Sequence, residues 1–212
     1  MTVLAKGLRL DRVSIRLAQN TLVELDAAVA PGEVLTVMGA SGSGKSTLLA
    51  FIAGFLGPRF SASGRVFLDG REITAQPANR RRVGLLFQDP LLFPHMSVGG
   101  NLLFAIAPGK AAGRRTRAEA ALAEAGLAGF FDRDPATLSG GQKARASLVR
   151  VLLSDPRALL LDEPFSKLDA QLRQQIRQFV FDCARERGLP VLLVTHDPQD
   201  AEAAGGPIVR LD

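Results

Sequence analysis

A chain of 212 residues, 47% of them hydrophobic, is long enough to bury a sizeable core as one domain. Its formal net charge of +5 is scattered apart from Arg80-Arg81-Arg82 and Arg114-Arg115 with Arg117, which read as solvated faces and not as a nucleic-acid patch. The single cysteine, Cys183, excludes an intrachain disulfide and a cysteine zinc cluster; no apolar run reaches the ~18 residues of a spanning helix, and residues 1–12 lack a signal core, so a cytosolic chain is expected.

In chain order, Leu8, Leu10, Val13, Ile15 and Leu17 alternate as in a strand, with one break, and 21–29 repeats the pattern before the Pro31-Gly32 turn. Antiparallel strands flanking a central sheet are expected there. Short continuous apolar runs at 34–38, 83–87, 158–161 and 191–195 read as buried parallel strands, separated by the helical or loop crossovers of an α/β domain. Residues 46–53 read as a buried helix. From Phe93 the texture becomes alanine-rich, with helices expected over 117–127 and 139–153, so roughly 89–154 is read as a helical subdomain inserted into the sheet. Leu168, Leu172, Ile176, Phe179, Val180 and Cys183 mark one face of a later helix, closed by Gly188 and Pro190. A strand-like 207–211 follows near the end.

Two segments carry chemistry. Gly39-Ala40-Ser41-Gly42-Ser43-Gly44-Lys45-Ser46 fits G-x-x-x-x-G-K-[ST], in which glycines let backbone N–H groups wrap around phosphates, Lys45 reaches the terminal ones and Ser46 ligates Mg²⁺. An apolar strand enters this loop and a helix leaves it, the setting such a loop needs. Asp162-Glu163 follows the apolar run 158–161, at the sheet edge where open α/β folds bind ligands. Asp162 is then placed to hold Mg²⁺ and Glu163 to polarise a water that attacks the terminal phosphate.

These segments, with Thr47, Gln88, Leu138-Ser139-Gly140-Gly141-Gln142, Ser166-Lys167-Leu168-Asp169 and Thr195-His196-Asp197, occur in one order that resembles the nucleotide-binding subunit of an ABC transporter over nearly the whole chain. The resemblance implies a P-loop NTPase fold of the ABC ATPase type, with ATP and Mg²⁺ as ligands. It implies that Gln88 reaches Mg²⁺ or the attacking water and that His196 contacts the γ-phosphate. It implies that the signature 138–142, whose Ser139, Gly140 and Gly141 open a helix, closes over ATP held by a second copy. Two chains would then form a head-to-tail homodimer with two ATPs, and Asp169 would lie across the seam.

Residues 87–102 resemble the same region in solute importers of the thiamine, iron and sulfate type, which work with a periplasmic binding protein. There the membrane permease subunit docks a short helix. Leu91, Leu92, Phe93 and Met96 are candidates either for that groove or for subdomain core, and His95 for plain surface. The resemblance therefore places the chain peripherally on the inner face of the membrane, with no nucleic-acid partner expected. Export through a different partner, or a soluble ATPase acting on nucleic acid, are the alternatives.

Two departures from the family stand out. The chain ends at Asp212, so no C-terminal regulatory domain is expected. Relatives stack adenine on an aromatic ring from the N-terminal strands, but the matching position here is Leu17; the chain has no Tyr or Trp, and no Phe precedes Phe51. An aliphatic contact would hold the base weakly, so ATP and GTP are expected to bind within about tenfold of each other.

Overall fold

The computed structural model describes residues 6–40 and 42–211; Ser41 of the glycine loop lies outside them. Two sheets are formed. Strands β1 (Leu8–Leu17) and β2 (Asn20–Val29) pair antiparallel, and β4 (Phe60–Leu68) with β5 (Arg71–Glu72) extends that sheet in the order β2-β1-β4-β5. The break in alternation along β1 is a bulge: pairing shifts between Leu10 and Val13, and Arg12 takes φ 49. The inserted residue returns Val13 and Ile15 to the face already used by Leu8 and Leu10, so all four are buried. Asp11, buried in the bulge, accepts from Arg65 Nε and Nη2 at 3.1 and 2.6 Å, which holds its carboxyl below the ordinary range. Strand β4 escapes a sequence reading because Ser61, Ala62, Ser63 and Gly64 are poor strand formers. Its position is set instead by pairing with β1, which seats Phe60 directly opposite Leu17.

The second sheet is parallel, in the order β6 (Val83–Leu86), β7 (Ala158–Asp162), β8 (Val191–Thr195), β3 (Val34–Gly39), β9 (Ile208–Leu211). Its faces alternate with period two. Leu35, Val37, Leu160, Leu192 and Val194 pack toward α1 (Lys45–Ala53) and the antiparallel sheet. Leu159, Leu161, Val191 and Leu193 pack toward α5 (Ala170–Glu186) through Ile176, Val180 and Phe181. Both faces are therefore covered, which is why these strands read as unbroken apolar runs. Each such side chain contributes roughly 1.5–3 kcal/mol by its burial. The remaining helix of this layer, α6 (Pro198–Ala204), links β8 to β9.

Between β6 and β7 lie α2 (Val98–Ala105), α3 (Ala111–Glu124) and α4 (Gly140–Leu153), which share their own core of Val98, Leu102, Leu122, Leu127, Phe131 and Val149. The second of these begins six residues before the expected 117, because its first turns carry arginines and a glycine in place of apolar spacing. Helix α4 belongs to two cores, since its Leu148 and Leu152 pack under the parallel sheet.

The arginine clusters are solvated faces as expected at Arg80, Arg82, Arg115 and Arg117, but not at Arg81, and Arg114 is half-buried. Arg81 is buried. Its guanidinium donates to Phe51 O at 2.8 Å and Ile52 O at 2.9 Å, at the C-terminus of α1, and to Gln76 O at 2.8 Å and Thr74 O. The last carbonyls of α1 and the negative end of its dipole meet this charge in place of a carboxylate. Arg114 donates to Leu103 O and Ile106 O; Arg115 bridges Glu119 and Asp132 over the Phe131 ring; Arg117 pairs with Asp155 at 2.6 Å. Arg81→Ala strands several buried carbonyls and should lower stability by about 3–4 kcal/mol, or roughly 6–15 °C in melting temperature. Exposed Arg82→Ala should stay within about 0.5 kcal/mol. Equal losses in thermal denaturation of the two variants would remove the capping role of Arg81.

Candidate functional site

Strand β3 ends at Gly39, and the chain doubles back through Gly42 and Gly44, at φ 86 and 89, before entering α1. Left-handed backbone favours glycine, and a Cβ at Gly44 would fall 2.8 Å from Val23 Cγ2, so the loop lies against β2 with no room for a side chain. No side chain among the described residues caps α1. The first amide to join its ladder is that of Leu48, which donates to Gly44 O at 2.8 Å, so the N–H groups of Lys45, Ser46 and Thr47 precede any helical acceptor. Ser43 Oγ is buried and has no hydrogen-bond partner among the described residues. Orphan donors at a helix N-terminus beside a buried hydroxyl fit a phosphate chain.

Lys45 is only 5% exposed; its Nζ donates to Gly39 O and Ala40 O, both at 2.8 Å, and lies 3.7 Å from the Glu163 carboxylate. Loop, lysine and Glu163 line one cleft of about 340 Å³ together with Leu17, Leu22, Arg59 and Phe60. Ser46 Oγ donates to Asp162 Oδ1 at 3.0 Å. Burial pushes the Asp162 carboxyl up, aided by Glu163, while the Ser46 hydrogen bond and Lys45 pull it down. A hydroxyl and one carboxylate oxygen are hard donors of the kind Mg²⁺ takes alongside substrate phosphates. Among the described residues no cluster of three or more His, Cys, Asp or Glu could hold a metal by itself.

Glu163 occupies strained backbone, φ 45, just past the end of β7; its N–H donates to Val194 O at 3.0 Å. Two contacts aim the side chain and its loop: His196 Nδ1 lies 3.1 Å from Glu163 Oε2, and Ser166 Oγ donates to Glu163 O at 2.9 Å. The same Ser166 Oγ accepts from Gln88 Nε2 at 3.0 Å. Strain at a non-glycine residue held by several contacts is common where geometry serves chemistry. His196 is carried by a buried support: Thr195 Oγ1 donates to Asp200 Oδ2 at 3.0 Å, and Asp200 pairs with Arg177 at 3.2 Å. Burial pushes the Asp200 carboxyl up against these two partners. Asp197 caps α6 and pairs with Arg173 at 2.6 Å.

The structure thus brings Lys45, Ser46, Asp162, Glu163 and His196 together around the loop, with Leu17 at the cleft wall. It does not bring Gln88 or 138–142 into that cleft. Gln88 and Gly140 line a neighbouring apolar groove with Lys143 and Leu168. Ser139 caps α4 in a reciprocal pair, accepting from Gln142 N at 3.3 Å while its own N–H donates to Gln142 Oε1 at 2.9 Å. Asp169 likewise caps α5, accepting from Leu172 N at 3.0 Å. Leu138 is buried beneath α4. Sequence reasoning missed Ser166, Asp200 and Arg177 as supports, and missed Phe60 and Arg59 in the cleft. Only Ser166 was within a quoted motif; the others carry no local signal and are assembled by pairing across the fold.

Comparison with known proteins agrees with this geometry. Residues 22–166 match the family described as ABC transporter. The chain is 49% identical over 193 residues to the uncharacterized ABC transporter ATP-binding protein YnjD of Escherichia coli strain K12, covering 90% of this chain and 89% of that one. It is 47% identical over 196 residues to the thiamine import ATP-binding protein ThiQ of Cereibacter sphaeroides, covering 92% and 83%. It is 40% identical over 194 residues to the Fe(3+) ions import ATP-binding protein FbpC of Agrobacterium fabrum, covering 91% of this chain and 54% of that longer protein. With the phosphate loop, the Asp162-Glu163 pair and the α/β sheet that presents them in place, the chain belongs to the ABC transporter family as an ATP-binding, ATP-hydrolysing subunit.

Proposed function

We propose that this chain hydrolyses ATP as a homodimer to energise import of a small solute through separate membrane permease subunits. The catalytic reading rests on Glu163, whose carboxylate is held between Lys45 and His196 beside the phosphate loop. Glu163 takes a proton as the water oxygen bonds to the γ-phosphorus and the bridging oxygen leaves with ADP. Lys45 and the α1 amides meet the charge on the phosphates, and His196 both orients Glu163 and faces the γ-phosphate. Ser46 and Asp162 would hold Mg²⁺, with Gln88 as a further candidate ligand, and the ion would neutralise phosphate charge.

The dimer reading is supported by the signature lying outside the phosphate cleft. Its two glycines also differ in what requires them. A Cβ at Gly141 would strike the Leu172 side chain, so that glycine serves the packing of α4 on α5. A Cβ at Gly140 meets nothing within 4 Å. That open approach, at a helix N-terminus, suits the γ-phosphate of an ATP bound to a second copy. Residues 89–154 then act as a helical subdomain that carries the signature toward that ATP, with Asp169 at the seam.

The importer reading is supported by relatives named for thiamine, Fe(3+) and spermidine/putrescine import, and by an apolar surface on α2 and the preceding loop. Leu91 is 53% exposed and Phe104 69%, and Phe93 stacks edge-on against Phe104 at 5.2 Å. Leu92 joins the helical core instead, so the four candidates divide between groove and core. A permease helix docking here would keep the chain on the inner face of the membrane, in a system that includes a periplasmic solute-binding protein. No helix among the described residues is long and apolar enough to cross the membrane itself.

Light scattering with saturating ATP tests the shared site. Gly140→Asp puts a carboxylate where the dipole of α4 tolerates it but a γ-phosphate does not, so it should fold and bind ATP normally yet fail to dimerise. Gly141→Ala should instead lose thermal stability. Normal ATP-driven dimerisation of Gly140→Asp would remove the cross-subunit role of the signature. For the import reading, replacing the native copy with Glu163→Gln should abolish cellular uptake of one solute; a defect confined to efflux would overturn it.

A further inference from the structure

The base end of the nucleotide cleft contains an aromatic ring that the first fifty residues of the sequence do not reveal. Register along β1 and β4 pairs Leu17 with Phe60, and directly opposed residues of an antiparallel pair project from the same face of the sheet. Both line the phosphate-loop cleft, together with Arg59. The Arg59 guanidinium carbon lies 4.9 Å from the centre of the Phe60 ring. Arg59, in the turn just before β4, has no carboxylate partner among the described residues, unlike Arg65 on β4, which pairs with Asp11. Besides the aliphatic contact expected at Leu17, the cleft therefore presents a flat ring opposite Leu17 with a flat cation against that ring.

We infer that Phe60, with Arg59 beside it, is the platform on which the nucleotide base stacks in this chain, supplied from β4 in place of an aromatic residue at position 17. This rests on the phosphate-loop reading of the same cleft, whose Gly44, Lys45, Ser46 and Thr47 line its other end. Rings and guanidinium planes stack on any base, because every base has a π-face, and neither supplies the hydrogen bonds that distinguish adenine from guanine. The platform holds the base without selecting it. Leu17 limits the pocket from the opposing strand and contributes only apolar contact.

Calorimetric titration of the full chain with Mg-ATP, Mg-GTP and inorganic tripolyphosphate separates base from phosphate binding. Phe60→Leu keeps an apolar side chain against the core that Phe60 partly packs on, and should weaken ATP and GTP alike by roughly 5- to 100-fold while tripolyphosphate stays within about twofold. Phe60→Tyr should restore both nucleotides, and Arg59→Gln should cost about two- to fivefold in each. Unchanged ATP affinity in Phe60→Leu, or an equal loss for tripolyphosphate, overturns the stacking role. Lys45→Ala is the control for the underlying reading: it should abolish binding of all three, and if it does not, the phosphate site itself is misassigned whatever Phe60 does.

Discussion

The parallel register of three buried strands sets everything else at the site. Asp162 pairs with Val194, Val194 with Val37, and Thr195 with Met38, so β7, β8 and β3 reach their C-terminal ends within a residue or two of one another. Glu163, His196 and the glycine loop therefore leave the sheet along one edge. A slip of one residue in any of these strands would turn its apolar side chains to the wrong core and remove its loop from that edge. The two apolar cores, one shared with α1 and one with α5, hold the register in depth. Positioning of the site is thus set by hydrophobic packing far from the phosphates.

Several motif residues serve the fold and the chemistry at once, and the structure separates the two roles. Ser139 and Asp169 are helix caps whatever else they touch, and Gly141 is a packing glycine. Gly140 has no such internal reason. Around Glu163 the same distinction applies: Ser166 ties its carbonyl and Gln88 into one chain of hydrogen bonds, while the Thr195, Asp200 and Arg177 network keeps the His196 turn in place. Gln88 is consequently linked to the backbone carbonyl of Glu163 through one hydroxyl.

The central sheet was legible because its strands are covered on both faces and so carry continuous apolar runs; 34–38 and 191–195 could be read almost to the residue. The bulge at Arg12 was legible too, as the one break in alternation along β1. Three things were not. Strand β4 has Ser, Ala and Gly where a strand signal would lie, and it exists through pairing with β1. Arg81 sits between two other arginines, and nothing local distinguishes the one that caps α1 from its exposed neighbours. Phe60 is 43 positions from Leu17 in sequence, so its place in the cleft depends on a pairing that no motif encodes. What a sequence shows is periodicity and motif; contacts between distant strands emerge only with the fold.

The claim that Glu163 is the water-polarising group of an ATP hydrolase is tested most directly by single-turnover hydrolysis of bound Mg-ATP in the Glu163→Gln chain, with nucleotide affinity measured on the same preparation. Gln keeps the shape of the side chain and its hydrogen bonding toward His196, but it cannot accept the proton of the attacking water. ATP affinity should stay close to that of the parent while the hydrolysis rate falls by roughly 10² or more. Hydrolysis at the parental rate, with ATP bound normally, would contradict this role of Glu163.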